Sequence, residues 1–415
     1  MSRYGTIVVG GGIIGAATAY HLAKAGAENV VVLERAGIAE GTTPAGAGFI
    51  SVWAAGNIAA WQNEELSFER YALEFYPALA ERGHDINLHR NGHIWIGISE
   101  EGYAEHIVPM AEDESVPNKQ VLDGEGVAAL LPIVEADKIV GGVYHPDSVY
   151  LSTTLANQAL MAEAESLGVE VRTSSPVDEL IVEGGRVRGV RGPHGEARAD
   201  DVVLALGAWT NSLLKRHDAW IPVAPVAATR IVTEPLGLPA TLPSFLFPEL
   251  EQMWIREQAG GLLFGGNYEG PPHYDYVEDG PPPSFRELPM DGYEETQALA
   301  RRAAEVLPLL GQYKSATTST GAPVMTPDFR PVAGPVPGLP GAWVITGDCE
   351  CGVTHGPGLG LTVSELIRGE APSMADPAAL DPGRFDPALK TGADVLQAMA
   401  SAEGGVWKID EVGAS

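Results

Sequence analysis

Cysteine, positive charge and long apolar runs are all scarce in this 415-residue sequence. The two cysteines, Cys349 and Cys351, are separated only by Glu350. They are too close to staple a secreted scaffold, so a reducing cytoplasm is the expected location. Lys and Arg number 26 against 55 Asp and Glu, for a formal charge of −29. That balance excludes a nucleic-acid backbone as partner, because neutralising phosphates needs basic patches. It bears on solubility rather than on fold. No stretch approaches about 18 uninterrupted apolar residues, so no membrane span is expected. The apolar N-terminus lacks a strongly basic leader and carries glycines at motif spacing, which argues against a signal peptide. The ten histidines are dispersed without ligand spacing, so no metal site is expected. Neither a Ser-His-Asp constellation nor a repeat of fixed period can be read.

What is present starts at once. "YGTIVVG" (4–10) is a β-branched run suited to a buried parallel strand. "IIGAATAYHLAKAG" follows as a helix stopped by Gly26, and "NVVVLE" (29–34) is a second strand. Between the first strand and the helix, Gly10, Gly12 and Gly15 form G-x-G-x-x-G. The first makes the tight turn, the second admits a pyrophosphate to the backbone, and the third lets helix and strand pack closely. The helix N-terminus offers oriented N–H groups to the diphosphate. Glu34, closing the second strand, is placed to accept hydrogen bonds from ribose hydroxyls. This βαβ unit predicts a dinucleotide site; the competing reading is a plain glycine-rich βα turn.

Further on, helices are expected over "NEELSFERYALEFYPALAERG" and "LSTTLANQALMAEAESLG", and a strand over "GHIWIGI". "DVVLALGAW" reads as a strand entering a tight turn at Gly207. "MWIREQAGGLLFGG" reads as a hairpin turning at Gly260–Gly261. The Pro/Gly-rich stretch 270–284 is a long loop, a candidate lid or partner contact. Nucleotide-like pieces fall at the start, middle and end, so two interleaved domains are expected rather than two consecutive ones.

Four stretches carry a family resemblance: "GTTPAGAGF" (41–49), "DVVLALGAW", "MTPDFRPVAGP" and "ITGDCECGVTHGPGLGLTVSELIRG". Together they resemble the FAD-dependent amine oxidoreductases of the D-amino-acid oxidase/sarcosine oxidase type, glycine oxidase among them. The resemblance implies an α/β fold, with a Rossmann-like FAD-binding domain (1–55, 150–215, 320–390) interleaved with a mixed-sheet α+β substrate domain (56–149, 216–319). A C-terminal tail (391–415) is then expected. It implies FAD held by Gly10, Gly12, Ile13, Ile14, Gly15, Glu34 and Arg35, and then by Thr42, Thr43, Ala45, Ala47 and Gly48. Val177, Gly207 and Trp209 join from the middle of the chain, and Gly347, Gly352, Val353 and Thr354 from its last part. Small residues at Ala45, Gly46, Ala47 and Gly48 let the backbone run along the flavin. Some relatives tether the flavin through a histidine at the place of Ala45, others through a cysteine at the place of Gly321. With neither present, the resemblance implies non-covalent FAD.

The substrate end departs from the family pattern. Ala322 and Glu350 stand where carboxylate-binding arginines occur in relatives, and Leu263 where sarcosine oxidases carry an oxygen-activating lysine. Asp348 and Glu350 would then favour a cationic group, or merely cap a turn or face water. His355 is a candidate proton handler or a structural histidine. Trp53, Arg230, Trp254, Asn267 and Tyr268 are candidate cavity-lining residues, with core packing or ordinary ion pairing as the alternatives. The two cysteines read as small buried hydrophobes. The resemblance thus implies oxidation of an amine C–N bond to an imine that hydrolyses, on a small-molecule amine other than a simple α-amino acid. Oxygen or another acceptor takes the electrons. Oxidation of a hydroxyl or C–H donor, or service as a flavoprotein subunit passing electrons to a partner, remain open, as does a homo-oligomer.

Overall fold

The computed structural model describes residues 2–54, 63–267, 271–276 and 280–401. Its first unit is β1 (Ser2–Val9), α1 (Ile13–Lys24) and β2 (Val30–Leu33). The two strands pair in parallel, Val8 opposite Val32. Gly10 makes the sharp turn with φ of 111°, and a Cβ there would lie 2.3 Å from the Ala205 carbonyl oxygen. A Cβ on Gly15 would lie 2.0 Å from the Gly10 oxygen, so helix and strand meet backbone to backbone. Gly26, at φ of 87°, stops α1.

The elements that build the site follow in chain order. They are α2 (Asn63–Glu81), α3 (Thr153–Ser166), β3 (Gly195–Leu204) and β4 (Ala228–Thr233). Then come β5 (Met253–Gln258), β6 (Gly261–Gly265), β7 (Ser315–Gly321), β8 (Ala342–Thr346) and α4 (Gly352–Ile367). In the first sheet β8, β3, β1, β2 and the strand Glu170–Arg172 run parallel in that spatial order. The strand Val332–Pro335 adds antiparallel to β8, and the hairpin Glu179–Glu183/Arg186–Gly192 hangs from β3. Helices α1 to α4 bury a common face on this sheet, with Ala16, Phe68, Leu160 and Leu359 in one cluster.

The second sheet has eight strands, in the order β7, β4, β6, β5, Ser244–Phe247, His93–Gly97, Gly141–His145 and Gln120–Asp123. It is mixed: Ser244–Phe247 lies parallel to His93–Gly97, and the other pairs are antiparallel. Strand alternation sorts its two faces. Ile231, Ile255 and Phe264 pack with Leu299 and Ala300 of the helix Tyr293–Ala303. Their neighbours Arg230, Val232, Leu263, Arg256 and Trp254 therefore point the other way, toward the first sheet's loops. The chain is thus an α/β protein with one largely parallel and one mixed sheet, whose strands interleave along the sequence. Among the described residues no helix is long and apolar enough to cross a membrane.

Three expectations shift. The β5–β6 hairpin turns at Ala259 (φ 51°) and Gly260 (φ 80°), one residue before Gly260–Gly261, and Gly261 already belongs to β6. A type I′ hairpin turn needs positive φ at both positions, and here alanine accepts one of them. The stretch read as a tail opens with the helix Gly392–Ser401, whose Val395, Leu396 and Met399 pack on Met325, Phe329 and Cys349; residues 402–415 lie outside the described residues. The Pro-rich loop is anchored: Trp209 Nε1 donates to the Pro282 oxygen at 2.7 Å, and the Tyr276 hydroxyl donates to the Ala208 oxygen.

The α1–α4 contact is the tightest test of this packing. A Cβ on Gly360 would lie 2.7 Å from the backbone of Ala17 and Thr18. Gly360→Val should therefore destabilise by about 1–3 kcal/mol or more in denaturant unfolding. Gly311→Ala, whose Cβ would meet only Ala304 at 3.7 Å, should stay within about 0.5 kcal/mol of the parent. Equal effects would mean that the helices do not approach this closely.

Candidate active site

A cavity of about 620 Å³ opens at the carboxyl ends of β1 and β3, within the roughly 300–1,000 Å³ typical of small-molecule sites. Gly12 borders it, and a Cβ there would meet only Thr43 Oγ1, at 3.4 Å. No protein atom demands glycine at this position, so the room in front of it is left for a ligand. The Ile13 N–H, in the first turn of α1, donates to Thr43 Oγ1 at 3.2 Å. Asn157 of α3 pins the turn by donating to the Gly11 oxygen at 3.0 Å. Glu34 accepts from the Gly11 N–H at 2.6 Å and from the Ala36 N–H at 2.8 Å, which fixes its carboxylate at the cavity rim. At the far end the Arg35 guanidinium lies 4.0 Å over the Trp209 ring, and Val177 closes the wall.

A second, smaller cavity of about 110 Å³ lies against the mixed sheet. Its walls include Phe49, Leu246, Gln252, Trp254, Asn267 and Arg230. Thr42, Gly46, Pro323 and Glu350 line both cavities, so the two meet there. The meeting point is clamped from the second sheet. Arg230 Nη1 donates to the Gly46 oxygen at 2.9 Å, and Arg256 Nε donates to the Ala47 oxygen at 2.6 Å. Arg230 Nε also donates to Ser319 Oγ at 2.8 Å. Burial lowers both guanidinium groups to about 10, with Arg256 adding to the effect on Arg230, and both stay cationic at neutral pH. From the other side Thr42 Oγ1 accepts from the Ala322 N–H at 3.2 Å and donates to the Ala322 oxygen at 3.3 Å.

The turn before α4 places two carboxyl groups at this junction. Cys349 and Glu350 both take left-handed backbone, at φ of 47° and 74°, a conformation costly for residues with a Cβ. Burial pushes Asp348 up to about 6, against the opposing pull of His355. Glu350 has accessible surface on the cavity wall, yet its protein surroundings and the neighbouring Asp348 push it up to about 8. Below the turn, fully buried Glu69 of α2 accepts the N–H groups of Trp53 at 2.9 Å and Ala54 at 2.8 Å. Its Oε1 is 4.0 Å from His355 Nε2, and burial raises its pKa.

Residues 6–366 match the family model described as DAO, FAD dependent oxidoreductase. The chain belongs to that family. It is 28% identical to the mitochondrial dimethylglycine dehydrogenase of Rattus norvegicus over 92% of this chain but 45% of that one, so it spans about half the length of that relative. It is also 28% identical to the glycine oxidase of Pseudomonas aeruginosa, over 91% of this chain and 98% of the relative. The solved glycine oxidase of Geobacillus kaustophilus shares the fold, with a TM-score of 0.76 at 23% identity, covering 93% of this chain and 100% of that one.

FAD is therefore the cofactor, and the first cavity has the features to hold it: an open glycine turn, a helix N-terminus and a rim carboxylate. Of the expected FAD residues, Gly10, Gly12, Ile13, Ile14, Glu34, Arg35, Thr42 and Thr43 border the first cavity, as do Val177, Gly207, Trp209, Gly352 and Val353. Ala45 and Ala47 border the second. Gly15, Gly48, Gly347 and Thr354 lie behind these walls. Gly48 is small for a reason inside the protein: its φ is 82°, and a Cβ would lie 2.3 Å from the Leu151 oxygen. Gly347 likewise has φ of 64° and a Cβ would meet Thr326 at 2.4 Å. Thr354 Oγ1 donates to the Phe49 oxygen at 3.4 Å.

Among the substrate candidates, Arg230, Trp254 and Asn267 line the second cavity. Trp53 does not: it is fully buried against Trp95, and its Nε1 donates to Asp113 at 3.0 Å. Tyr268 lies outside the described residues. His355, 1% exposed, borders neither cavity and packs beside Phe68. Glu69 and Gln252 escaped the sequence reading. Glu69 carried one signal, a charge on the apolar face of α2 next to Phe68; Gln252 carried none.

The two raised carboxyl groups set a pH dependence. Each has a folded pKa above its ordinary value, so the stability linked to it is complete at low pH and is lost as pH rises through about 6 and about 8. The melting temperature of the FAD-free protein should therefore fall between about pH 4 and about pH 8 and level off above that. Glu350→Gln should flatten the upper half of that fall. A variant as steep as the parent would place the ionisation elsewhere.

Proposed function

We propose that the protein oxidises the C–N bond of a small amine, giving an imine that water hydrolyses to a carbonyl compound and a shorter amine. The observation that carries this reading is the second cavity, which meets the FAD cavity at Gly46 and Glu350 and is lined there by Arg230. Bound FAD supplies the chemistry by accepting a hydride equivalent from the carbon next to nitrogen. The chain's residues orient that carbon and keep water from it. Phe49, Leu246 and Trp254 form apolar walls. At about 110 Å³, the cavity suits a small substrate.

The names of two relatives, dimethylglycine dehydrogenase and glycine oxidase, point to amines that carry a carboxylate. Ala322 gives such a group no cation, its side chain being a methyl group. Arg230 can supply one from β4. Non-covalent FAD is part of the same reading. A Cβ on Gly321 would lie 2.9 Å from that of Ala45, so the two tether positions adjoin, and neither residue carries a nucleophile.

The test is anaerobic reduction of the FAD-loaded protein by a panel of primary, secondary and tertiary amines, with hydroxy acids and alcohols of matching size. Bleaching by amines and not by the hydroxyl compounds is expected, and the reverse pattern would sink the assignment. Re-admitting air then tells oxygen from another acceptor by the rate of reoxidation. Acid or heat should release yellow FAD into the supernatant; colour retained in the precipitate would refute the non-covalent claim.

A further inference from the structure

We infer that the prolines of stretch 281–283, carried by the mixed-sheet unit, form an outer wall of the FAD site at its adenosine end and slow release of the cofactor. The stretch lies in the connection between β6 and the helix Tyr293–Ala303. Pro281 and Pro283 border the first cavity together with Arg35, Val177 and Trp209, and neither borders the second. Glu34, on the same rim, marks this end as the adenosine end, because a carboxylate closing the second strand of a βαβ unit accepts from ribose hydroxyls.

The wall is anchored on two consecutive residues of the turn Gly207–Trp209, which follows β3. Trp209 Nε1 donates to the Pro282 oxygen at 2.7 Å, and the hydroxyl of Tyr276, 1% exposed, donates to the Ala208 oxygen. Lys215 Nζ holds the same tyrosine by donating to its backbone oxygen at 3.1 Å. Earlier in the connection the Ala227 N–H donates to the Pro272 oxygen at 2.7 Å, and the Tyr274 N–H to the Pro225 oxygen at 2.9 Å. Beyond the prolines Arg286 Nη2 lies 3.2 Å from Glu40 Oε1, an exposed pair that contributes little. Proline suits such a wall. Its ring fixes φ, so the stretch loses little freedom against a ligand, and it has no N–H to leave unpaired there. The rings add apolar surface beside Val177, which suits a purine base. Release of the adenosine half past this wall requires the Trp209 and Tyr276 bonds to open.

The test follows FAD leaving the loaded protein on dilution, by the rise in free-flavin fluorescence. The measurement rests on non-covalent FAD, which acid release decides separately. Tyr276→Phe removes one anchor without altering a residue of the cavity wall. It should release FAD about tenfold faster, the factor that one lost hydrogen bond allows. Pro281→Gly/Pro283→Gly keeps both anchors but frees the backbone, and should release FAD about threefold faster. FMN, which lacks the adenosine half, should leave the parent and both variants at one rate. FAD release at the parent's rate from either loaded variant overturns the inference. So does FMN release accelerated as much as FAD release, which would show a general loosening of the fold.

Discussion

Two arginines, Arg256 buried and Arg230 half-buried, grip consecutive carbonyl oxygens and hold the molecule's working geometry together. Arg230 reaches Gly46 and Arg256 reaches Ala47, which fastens the small-residue run of the parallel-sheet unit to a face of the mixed sheet. Hydrogen bonds from charged donors are worth about 1.5–3 kcal/mol each, though burial of the two cations offsets part of that. The run has to be thin for this clamp to close, and the two cavities meet where it closes. Register delivers both arginines to the same face: Arg256 lies opposite Leu263, and Leu263 opposite Val232. Leu263 thus lies directly across from a cation already engaged with the run.

Support comes from beneath. The Tyr76 hydroxyl donates to the Val353 oxygen at 2.6 Å, Thr354 ties α4 to Phe49, and Glu69 holds the Trp53–Ala54 backbone. Helices α2 and α4 therefore fix both the floor of the FAD cavity and the wall of the second one. Trp53 and His355 lie beneath these walls, and their burial makes them part of what positions the junction.

The βαβ unit was legible because its signals are local: β-branched strands, glycines at fixed offsets and an acid at a strand end all lie within the first 34 residues. The interleaving of the two sheets was legible from the scatter of nucleotide-like pieces. The lining of the second cavity was only partly so. A tryptophan that packs on another and one that faces a ligand look alike in sequence, and the partner choice of Trp53 is made by Trp95 and Asp113, far along the chain. Gly48 was read as small for the flavin's sake, whereas a left-handed backbone against the Leu151 oxygen already requires it. Arg230 gained its meaning from strand register, which composition does not carry.

The central claim is that substrate binds in the second cavity, where it meets the first, with FAD along the 42–48 run. A crystal structure of the FAD-loaded protein with an amine that reduces it bound tests this most directly. The account predicts the ligand in the cavity lined by Arg230, Trp254 and Asn267, and the flavin ring against Gly46. A ligand bound away from that cavity, or a flavin ring that leaves the 42–48 run uncovered, would contradict it.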